Sequence, residues 1–380
     1  MKVLHVITGL GVGGAELQLR SILQHTRHQS DVVTLYNPGP VAEMITGDGG
    51  RVRDLGMTRN TELPALMRLA RLIRTGAYDV VHTHLYRSCI YGRLAARLVA
   101  TPVVVTTEHS IGETHLERRR MTPGVRALYL GTDLCSDATI AVSDAVAHRL
   151  TKWGVPARKI EIIPNGLDFN RVAFDAAARD KIRDEFSLPR DAYVLGVLGR
   201  LDPIKRFDLV IRAAAPLLDD QHRLLIVGDG QIRPDLEAEA ARHGVAELVT
   251  FAGERHDVAA MLSSLDLFIA SSDQETFGLS VLEALVNGIP ALYTTCPALE
   301  GIETERARQV PGDDEGMRQE IATEMARGRR SRQGVPAIRE QYGIEAVTHR
   351  IDDLYERLMA ARSRARHNGR VLAHSVGGNR

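Results

Sequence analysis

The order of short β-rich runs and longer helical runs constrains the fold of this chain more than any other feature. Apolar, β-branched runs alternate with amphipathic stretches, first from Val3 to Ile163 and again from Tyr193 to Thr294. Strands separated by helices pair in parallel, because each needs a crossover before the next strand. The sequence therefore predicts an α/β fold with two tandem Rossmann-like, doubly wound domains.

The break in this alternation predicts where the domains end. Charged and alanine-rich residues from Asp168 to Arg190 interrupt the pattern. We expect an N-terminal domain over 1–172, a C-terminal domain over 173–345 and a terminal helix over 346–361. The segment 362–380 is rich in arginine with interspersed glycine and asparagine, which is typical of a frayed tail.

Composition excludes several classes of protein. Lysine plus arginine and aspartate plus glutamate number 48 each, and aromatic residues make up 4%, so we expect no nucleic-acid partner. The three cysteines, Cys89, Cys135 and Cys296, fit neither a disulfide framework nor a zinc site. With no apolar run long enough to span a bilayer and no signal-peptide pattern, a cytoplasmic protein is expected.

A glycine-rich loop follows the first predicted strand. Gly9 to Glu16 includes Gly13 and Gly14 at the start of a helix, where exposed N–H groups favour phosphate. A dinucleotide site would also need an acidic residue at the end of the second strand. That strand ends in Tyr36-Asn37-Pro38, so a nicotinamide or flavin site is disfavoured, and a merely tight turn stays open.

Two further segments carry candidate ligands in the second half of the chain. Arg200 and Lys205 lie in the loop after the strand Tyr193–Leu198, where both cations can reach one diphosphate. Glu275 and Glu283 flank Phe277-Gly278-Leu279, whose N–H groups begin a helix. An anion site beside two carboxylates fits a ligand with both phosphates and hydroxyls, as in a nucleotide sugar.

These segments resemble glycosyltransferase family 4. The resemblance rests on six motifs in order along almost the whole chain: Gly13-Gly14-Ala15-Glu16, His109, Pro164-Asn165-Gly166, Gly199-Arg200 with Lys205, Gly228-Asp229-Gly230, and the E-x7-E segment from Glu275 to Glu283. It implies a retaining enzyme of GT-B fold, whose two domains face one another across a cleft. In that fold the terminal helix can cross back to the N-terminal domain.

The resemblance also implies a role for each matched residue. Arg200 and Lys205 would hold the donor diphosphate, Glu283 the ribose hydroxyls and Glu275 the sugar hydroxyls. Phe277, Gly278 and Leu279 would add backbone contacts, Gly13 and Gly14 would approach phosphate and acceptor, and His109 would sit beside the transferred sugar. The segment from Thr295 to Gly301 departs from the family's Gly-Gly turn and glutamate, so we transfer no contacts to it.

No metal and no other cofactor is expected. The chain has no Asp-x-Asp motif, and His82-Thr83-His84 offers two histidines on one side of a strand without a third ligand nearby in sequence. Packing or an acceptor contact is the favoured interpretation of this pair. A metal-independent transferase would then neutralise the leaving diphosphate with its cations and a helix N-terminus.

The acceptor is the least constrained part of the prediction. The resemblance favours a hydroxyl on a lipid-linked saccharide or exopolysaccharide intermediate, with a small natural product as the alternative. Basic residues between Arg87 and Arg126, including the run from Arg118 to Arg120, indicate either a solvated face or peripheral contact with an anionic membrane.

Two other functions remain as competing hypotheses for the same fold. A GT-B nucleotide-sugar epimerase would act on the donor without an acceptor. A non-catalytic nucleotide-sugar binding protein would not need Arg200, Lys205, Glu275 and Glu283 together. A phosphorylase is disfavoured, because it would be longer and would hold pyridoxal phosphate on a lysine.

Overall fold

The computed structural model describes residues 1–112, 115–117 and 119–376. It divides into two compact units, one built from 1–166 together with 344–380 and the other from 167–343. Each unit contains one parallel sheet with helices packed on it, as the alternating sequence pattern predicts. None of the described helices is long and apolar enough to cross a membrane.

The first unit is built on a seven-stranded sheet in the order β3-β2-β1-β4-β5-β8-β9. Its elements up to residue 166 are β1 (Lys2–Ile7), α1 (Gly14–His25), β2 (Gln29–Thr34), α2 (Gly39–Gly47), β3 (Arg51–Asp54), α3 (Leu63–Gly76), β4 (Val80–His84), α4 (Tyr86–Leu98), β5 (Val103–Glu108), β6 (His115–Leu116), β7 (Arg119–Arg120), α5 (Pro123–Asp133), β8 (Ala138–Ala141), α6 (Asp144–Trp153) and β9 (Ile160–Ile162). The central strands β1, β4 and β5 are almost fully buried; β1 is mostly apolar, whereas β4 and β5 begin with valines and end in buried histidine, threonine and glutamate side chains.

The second unit has a six-stranded sheet in the order β12-β11-β10-β13-β14-β15. Its elements are α7 (Ala176–Glu185), β10 (Tyr193–Leu198), α8 (Phe207–Ala214), β11 (His222–Val227), α9 (Arg233–Arg242), β12 (Val249–Gly253), α10 (Val258–Ser264), β13 (Leu267–Ala270), α11 (Leu279–Asn287), β14 (Ala291–Tyr293), β15 (Ala307–Gln309), α12 (Asp314–Ala326) and α13 (Pro336–Tyr342). All of its strand pairs are parallel.

The last helix, α14 (Ile344–Val376), belongs to the first unit. Ile351, Leu354 and Tyr355 on this helix are buried against Val80 and Val105 of the first sheet, together with neighbouring apolar residues. The expected return of the terminal helix to the N-terminal domain is therefore seen. It also makes the first unit discontinuous in sequence, since the second unit is inserted between β9 and α14.

Two boundaries differ from those expected. The units divide at Gly166/Leu167 and Gly343/Ile344 rather than at 172/173 and 345/346, because Val172 is buried and Asn287 of α11 donates to its carbonyl at 2.9 Å. The tail expected to fray from 362 is helical to Val376. Its arginines, alanines and leucine are strong helix formers. Residues 377–380 lie outside the described part of the chain.

Candidate functional site

The strand order indicates where on the second sheet a ligand is expected to bind. In the second sheet the chain order reverses between β10 and β13. Open parallel sheets bind ligands beyond the carboxyl ends of their strands at such a reversal. The loops that follow β10 and β13 carry the predicted donor-binding residues, so the fold brings two motifs distant in sequence to one place.

Direct contacts tie these two loops together. Lys205 and Glu275 form an ion pair, with Nζ 2.5 Å from Oε1. The hydroxyl of Ser271 donates to the carbonyl oxygens of Lys205 and Arg206 at 2.7 and 2.9 Å. The side chain of Arg200 is 57% exposed, and its Nε lies 3.9 Å from Asp202. Lys205 is therefore held beside Glu275, while Arg200 reaches into solvent from the same loop.

The Gly228-Asp229-Gly230 turn packs directly against the loop that carries Arg200. Gly228 has φ +136°, and a Cβ atom there would overlap the carbonyl oxygen of Gly199. The N–H of Leu201 donates to the carbonyl of Asp229 at 3.0 Å. The tight turn after β11 thus shapes the loop that bears Arg200, and a larger residue would displace it.

Gly278 begins α11 and exposes its amino end. It has φ +100° and, as a glycine at the N-cap position, contributes no capping side chain of its own. The first N–H groups of a helix have no intrahelical acceptor and favour an anion. Phe277 and Leu279 flank this glycine, as predicted, and the Phe277 carbonyl accepts from the N–H of Ala298 at 2.9 Å.

Glu283 lies one turn into α11 and is half-buried. Desolvation raises the pKa of its carboxyl to about 7, and the positive charge of Arg171 opposes this rise. A carboxylate in such a place gains most from ligand hydroxyls that donate hydrogen bonds to its charged form. Glu283 differs in this respect from Glu275, whose charge is already balanced by Lys205.

The first unit holds the remaining predicted residues at the carboxyl edge of its own sheet. Gly13 precedes α1 and Gly14 is the first residue of that helix, and a Cβ atom on Gly13 would lie 2.5 Å from Oε2 of Glu16. His109 directly follows β5 and is 9% exposed. Its Nε2 lies 3.3 Å from Nδ1 of His84, and burial lowers the pKa of His109 to about 4. His109 is therefore a neutral ring at ordinary pH.

Comparison with known proteins identifies the family. Residues 12–171 match the model of Glycosyltransferase Family 4, and residues 192–326 match that of Glycosyl transferases group 1. A D-inositol 3-phosphate glycosyltransferase of Kribbella flavida is 31% identical over 329 residues, 77% of this chain and 74% of the relative. The chain belongs to glycosyltransferase family 4.

Other relatives match over shorter regions. The UDP-Gal:alpha-D-GlcNAc-diphosphoundecaprenol alpha-1,3-galactosyltransferase of Escherichia coli is 28% identical over 239 residues, 61% of this chain and 62% of the relative. The match thus spans less than two thirds of that enzyme's length. Among solved structures, Anabaena Alr3699/HepE in complex with UDP-glucose aligns with a TM-score of 0.82 and 20% identity, covering 94% of this chain and 99% of that one. The GT-B fold expected of the family is confirmed.

Two features of the family 4 site escaped the sequence analysis. The first is Cys296 in the atypical segment after β14: its Sγ lies against the carbonyl oxygens of Phe277 and Gly278 at 3.6 and 3.8 Å. The segment from which no contact was transferred therefore packs directly under the start of α11. The contact between Cys296 and the start of α11 follows from the pairing of β13 with β14. No local sequence pattern predicts it.

The second missed feature is His5. The register pairs His5 of β1 with His82 of β4, so His5, His82 and His84 share one face of the first sheet and lie within ligand distance of one another. A third histidine is thus near, contrary to the expectation from sequence spacing. Both ring nitrogens of His82 are already hydrogen-bonded, to the hydroxyls of Tyr355 at 2.5 Å and Thr107 at 2.7 Å.

The basic stretch from Arg87 to Arg126 does not form a single surface. Arg93 is fully buried, with its guanidinium 4.5 Å from the ring centre of Tyr129 and 3.2 Å from Asp133. Arg97, Arg120 and Arg126 are exposed. Arg118 and the side chain of Arg119 lie outside what the structure describes, so the predicted arginine run is represented by Arg120.

Proposed function

We propose that this protein transfers a hexose from a nucleotide diphosphate sugar to a hydroxyl acceptor, with retention of anomeric configuration and without a metal ion. The observation that carries the proposal is the meeting of the Arg200–Lys205 loop, the start of α11 at Gly278 and the half-buried Glu283 at one edge of the second sheet. Cations and helix N–H groups suit a diphosphate, and the carboxylates suit sugar hydroxyls.

Each residue has a distinct part in this proposal. Arg200 and Lys205 neutralise the leaving diphosphate together with the amino end of α11, the function that a metal ion serves in other transferases. Glu283 accepts from the ribose hydroxyls, and Glu275 accepts from the sugar while Lys205 holds its carboxylate in place. In the first unit, Gly13 and Gly14 leave room beside a phosphate, and His109 contacts the transferred sugar.

Retention is assigned to attack on the same face as the leaving group. The donor-side carboxylates are committed to hydroxyl recognition, so the departing phosphate oxygen takes the acceptor proton as the new glycosidic bond forms and the old one breaks. Such a route asks the protein for positioning and charge stabilisation. An α-linked product by NMR, with no covalent sugar adduct by mass spectrometry, is the expected outcome, and a β-linked product would contradict it.

The donor site is tested by binding. Arg200→Ala and Lys205→Ala should each weaken donor affinity by about 2–5 kcal/mol, because a desolvated phosphate loses its partner. Arg206→Ala is the matched control, since Arg206 lies in the same loop but pairs with Asp273 at 2.9 Å. Affinities come from calorimetry with UDP-, GDP-, ADP- and dTDP-sugars in EDTA. Equal affinity in all three variants, or binding that requires added magnesium, would contradict the proposal.

We propose an acceptor hydroxyl on a lipid-linked saccharide or exopolysaccharide intermediate. The proposal is supported by the Escherichia coli relative, whose name gives a diphosphoundecaprenol acceptor. Radiolabelled donor with a lipid extract should yield a labelled lipid. Label on D-inositol 3-phosphate instead would indicate the small-acceptor alternative, which the Kribbella relative's name favours, and donor conversion without any acceptor would indicate an epimerase.

We further propose that the outer face of α5 contacts an anionic membrane. Leu128 in the middle of this helix is 49% exposed, Leu134 just beyond its end is 81% exposed, and Leu98 at the end of the neighbouring α4 is 62% exposed. Arg97 next to Leu98, Arg120 before α5 and Arg126 within it are also exposed, and α5 has no acidic residue before the buried Asp133. Exposed leucines together with exposed arginines complement a surface of anionic headgroups over acyl chains.

Vesicle binding tests this surface. Leu128→Gln/Leu134→Gln should reduce co-sedimentation with vesicles that contain phosphatidylglycerol, whereas plain phosphatidylcholine vesicles should bind little protein. Leu63→Gln/Met67→Gln is the matched control, because those α3 side chains are 70% and 57% exposed. An equal loss in both double variants would show that the membrane contact is not made by α5. No binding by the unmodified protein would contradict membrane contact altogether.

A further inference from the structure

A row of histidine rings runs through the first unit toward its candidate site. Nδ1 of His5 lies 3.1 Å from Nε2 of His84, and Nδ1 of His84 lies 3.3 Å from Nε2 of His109. The ring centres are 5.4 and 5.6 Å apart, and each neighbouring pair is nearly stacked. Three rings, two on the adjacent strands β1 and β4 and one directly after β5, are therefore linked nitrogen to nitrogen.

His82 stands beside this row without belonging to it. Its ring centre is 4.1 Å from that of His84, yet its two nitrogens are hydrogen-bonded to Tyr355 and Thr107. A histidine with both nitrogens on hydroxyls has no nitrogen left for a fourth link. His82 is thus a built-in comparison for the role of the row.

The three rings in the row are neutral. Desolvation lowers the pKa of His5 and His109 to about 4 and that of His84 well below its usual range. A neutral imidazole carries one N–H, so one of its nitrogens donates and the other accepts. Each nitrogen–nitrogen contact then needs one donor and one acceptor, and the two contacts cannot be set independently.

Only two proton arrangements satisfy the row. In one, Nδ1–H of His5 donates to His84, and Nδ1–H of His84 donates to His109. In the other, Nε2–H of His109 donates to His84, and Nε2–H of His84 donates to His5. The state of His5 therefore dictates whether Nδ1 of His109 carries a proton.

Asp352 favours the second arrangement. This buried carboxylate accepts from the hydroxyl of Thr26 and the N–H of Arg27, just before β2 begins, and its charge acts on His5. His84, by contrast, ends β4, which pairs with β1 on the side opposite β2. A negative charge on the side of His5 away from His84 stabilises a proton on the distal nitrogen, Nε2, and leaves Nδ1 as an acceptor.

We propose that His5 and His84 are positioning residues that hold His109 as its Nε2–H tautomer, so that His109 Nδ1 presents a lone pair to a hydroxyl of the bound sugar. This role deepens the proposed function and rests on it for the sugar contact. The hydrogen bonds between the three rings do not depend on the proposed function, because they join ring nitrogens of the protein itself. A hydroxyl that donates to Nδ1 is then recognised without any change in the charge of the ring.

The tautomer can be read directly. In protein labelled with ¹⁵N in its histidine rings, His109 is assigned by loss of its signals in His109→Gln. We expect its Nε2 to be protonated and its Nδ1 to be bare. In His5→Phe, which removes the far end of the row, the His109 signals should shift toward an average of the two tautomers. His82→Gln, in the adjacent ring outside the row, should leave them unchanged.

Kinetics separate positioning from folding. His5→Phe should lower kcat by about tenfold with KM for the donor nearly unchanged, since the lost hydrogen bond belongs to the reacting sugar. His5→Asn, whose amide can restore a contact to His84, should recover part of this loss. A proton on Nδ1 of His109 in the unmodified protein, or an unchanged His109 spectrum in His5→Phe, would overturn the proposal.

The unmodified protein alone decides the tautomer, so a variant that fails to fold leaves the test intact. The failure of the proposed function is also distinguishable. Absence of donor binding and transfer would remove the sugar contact, while the ring spectrum would still report whether the row exists.

Discussion

The half-buried charge of Glu283 lowers the folding stability of the free protein, and the same charge is expected to strengthen binding of ligand hydroxyls. Its pKa of about 7 lies above the value of about 4.3 for an unperturbed glutamate. Between these two values the folded chain binds more protons than the unfolded chain, so folding stability falls as pH rises and the cost is complete above pH 7. Glutamine at this position removes the charge and most of that cost.

Glu283→Gln should therefore raise Tm by more at pH 8 than at pH 5, with a gain at pH 8 on the order of 3 kcal/mol from the pKa shift. The same variant should bind nucleotide sugar more weakly, because an amide is a poorer acceptor for ribose hydroxyls than a carboxylate. Thermal unfolding and donor calorimetry at both pH values measure the two effects. The exposed Glu247→Gln is the surface control, and equal Tm gains at pH 5 and 8 would contradict the burial argument.

Single residues were predictable where a local motif carries them. Arg200, Lys205, Glu275, Gly278 and Glu283 each stand in a loop or helix start that the sequence marks. Their partners were not predictable in the same way. The contact of Lys205 with Glu275 depends on β10 and β13 being neighbours, and the approach of His5 to His84 depends on strand register.

At the scale of elements, the junction of α11 with the segment after β14 is the most constrained part of the second unit. A Cβ atom on Gly278 would lie 2.5 Å from Sγ of Cys296, and its φ of +100° disfavours any side chain. Both the backbone and the packing therefore require glycine where the helix begins.

Gly278→Ala should lower stability by about 1–3 kcal/mol and weaken donor binding as the helix start moves. Gly328→Ala separates the two causes, since Gly328 has φ +70° with no atom within 4 Å of an added Cβ. That variant should lose stability through backbone strain alone and keep its donor affinity. Thermal unfolding and calorimetry of both variants make the comparison, and equal donor affinity in the two would show that the packing against Cys296 does not shape the site.

Short strands at the edges of the sheets are difficult to predict from sequence patterns. The strands β3 and β15 were not predicted, and each pairs along only one side at the margin of its sheet. In β3 the side chains of Arg51, Arg53 and Asp54 are exposed, so no apolar alternation marks it. The central strands carry runs of valine, leucine or isoleucine, which mark them in the sequence because they are buried on both faces.

At the scale of the whole molecule, the first unit depends on residues from both ends of the chain. Leu354 and Tyr355 are each 1% exposed where α14 covers the sheet. The family resemblance predicts that the terminal helix packs on the N-terminal domain. The boundaries of the first unit, at Gly166 and Ile344, are evident only from the packing of the structure.

Leu354→Ala should destabilise the first unit by about 2–5 kcal/mol, the usual cost of emptying a buried leucine site. Met67→Ala, at a 57% exposed position of α3, is the control and should change Tm little. Calorimetric unfolding should show the loss in one of two transitions, since each unit has its own core. A shift of both transitions by the same amount would indicate that the units unfold together.

The discontinuous first unit has a consequence for synthesis on the ribosome. Residues 1–166 emerge first, but the helix that covers one face of their sheet is translated only after the whole of 167–343. At about 5–20 residues per second this interval lasts roughly 10–35 s. Throughout it the nascent sheet lacks the helix that covers Val80, Val105 and Ile140, so we expect the growing chain to bind chaperones until α14 leaves the exit tunnel.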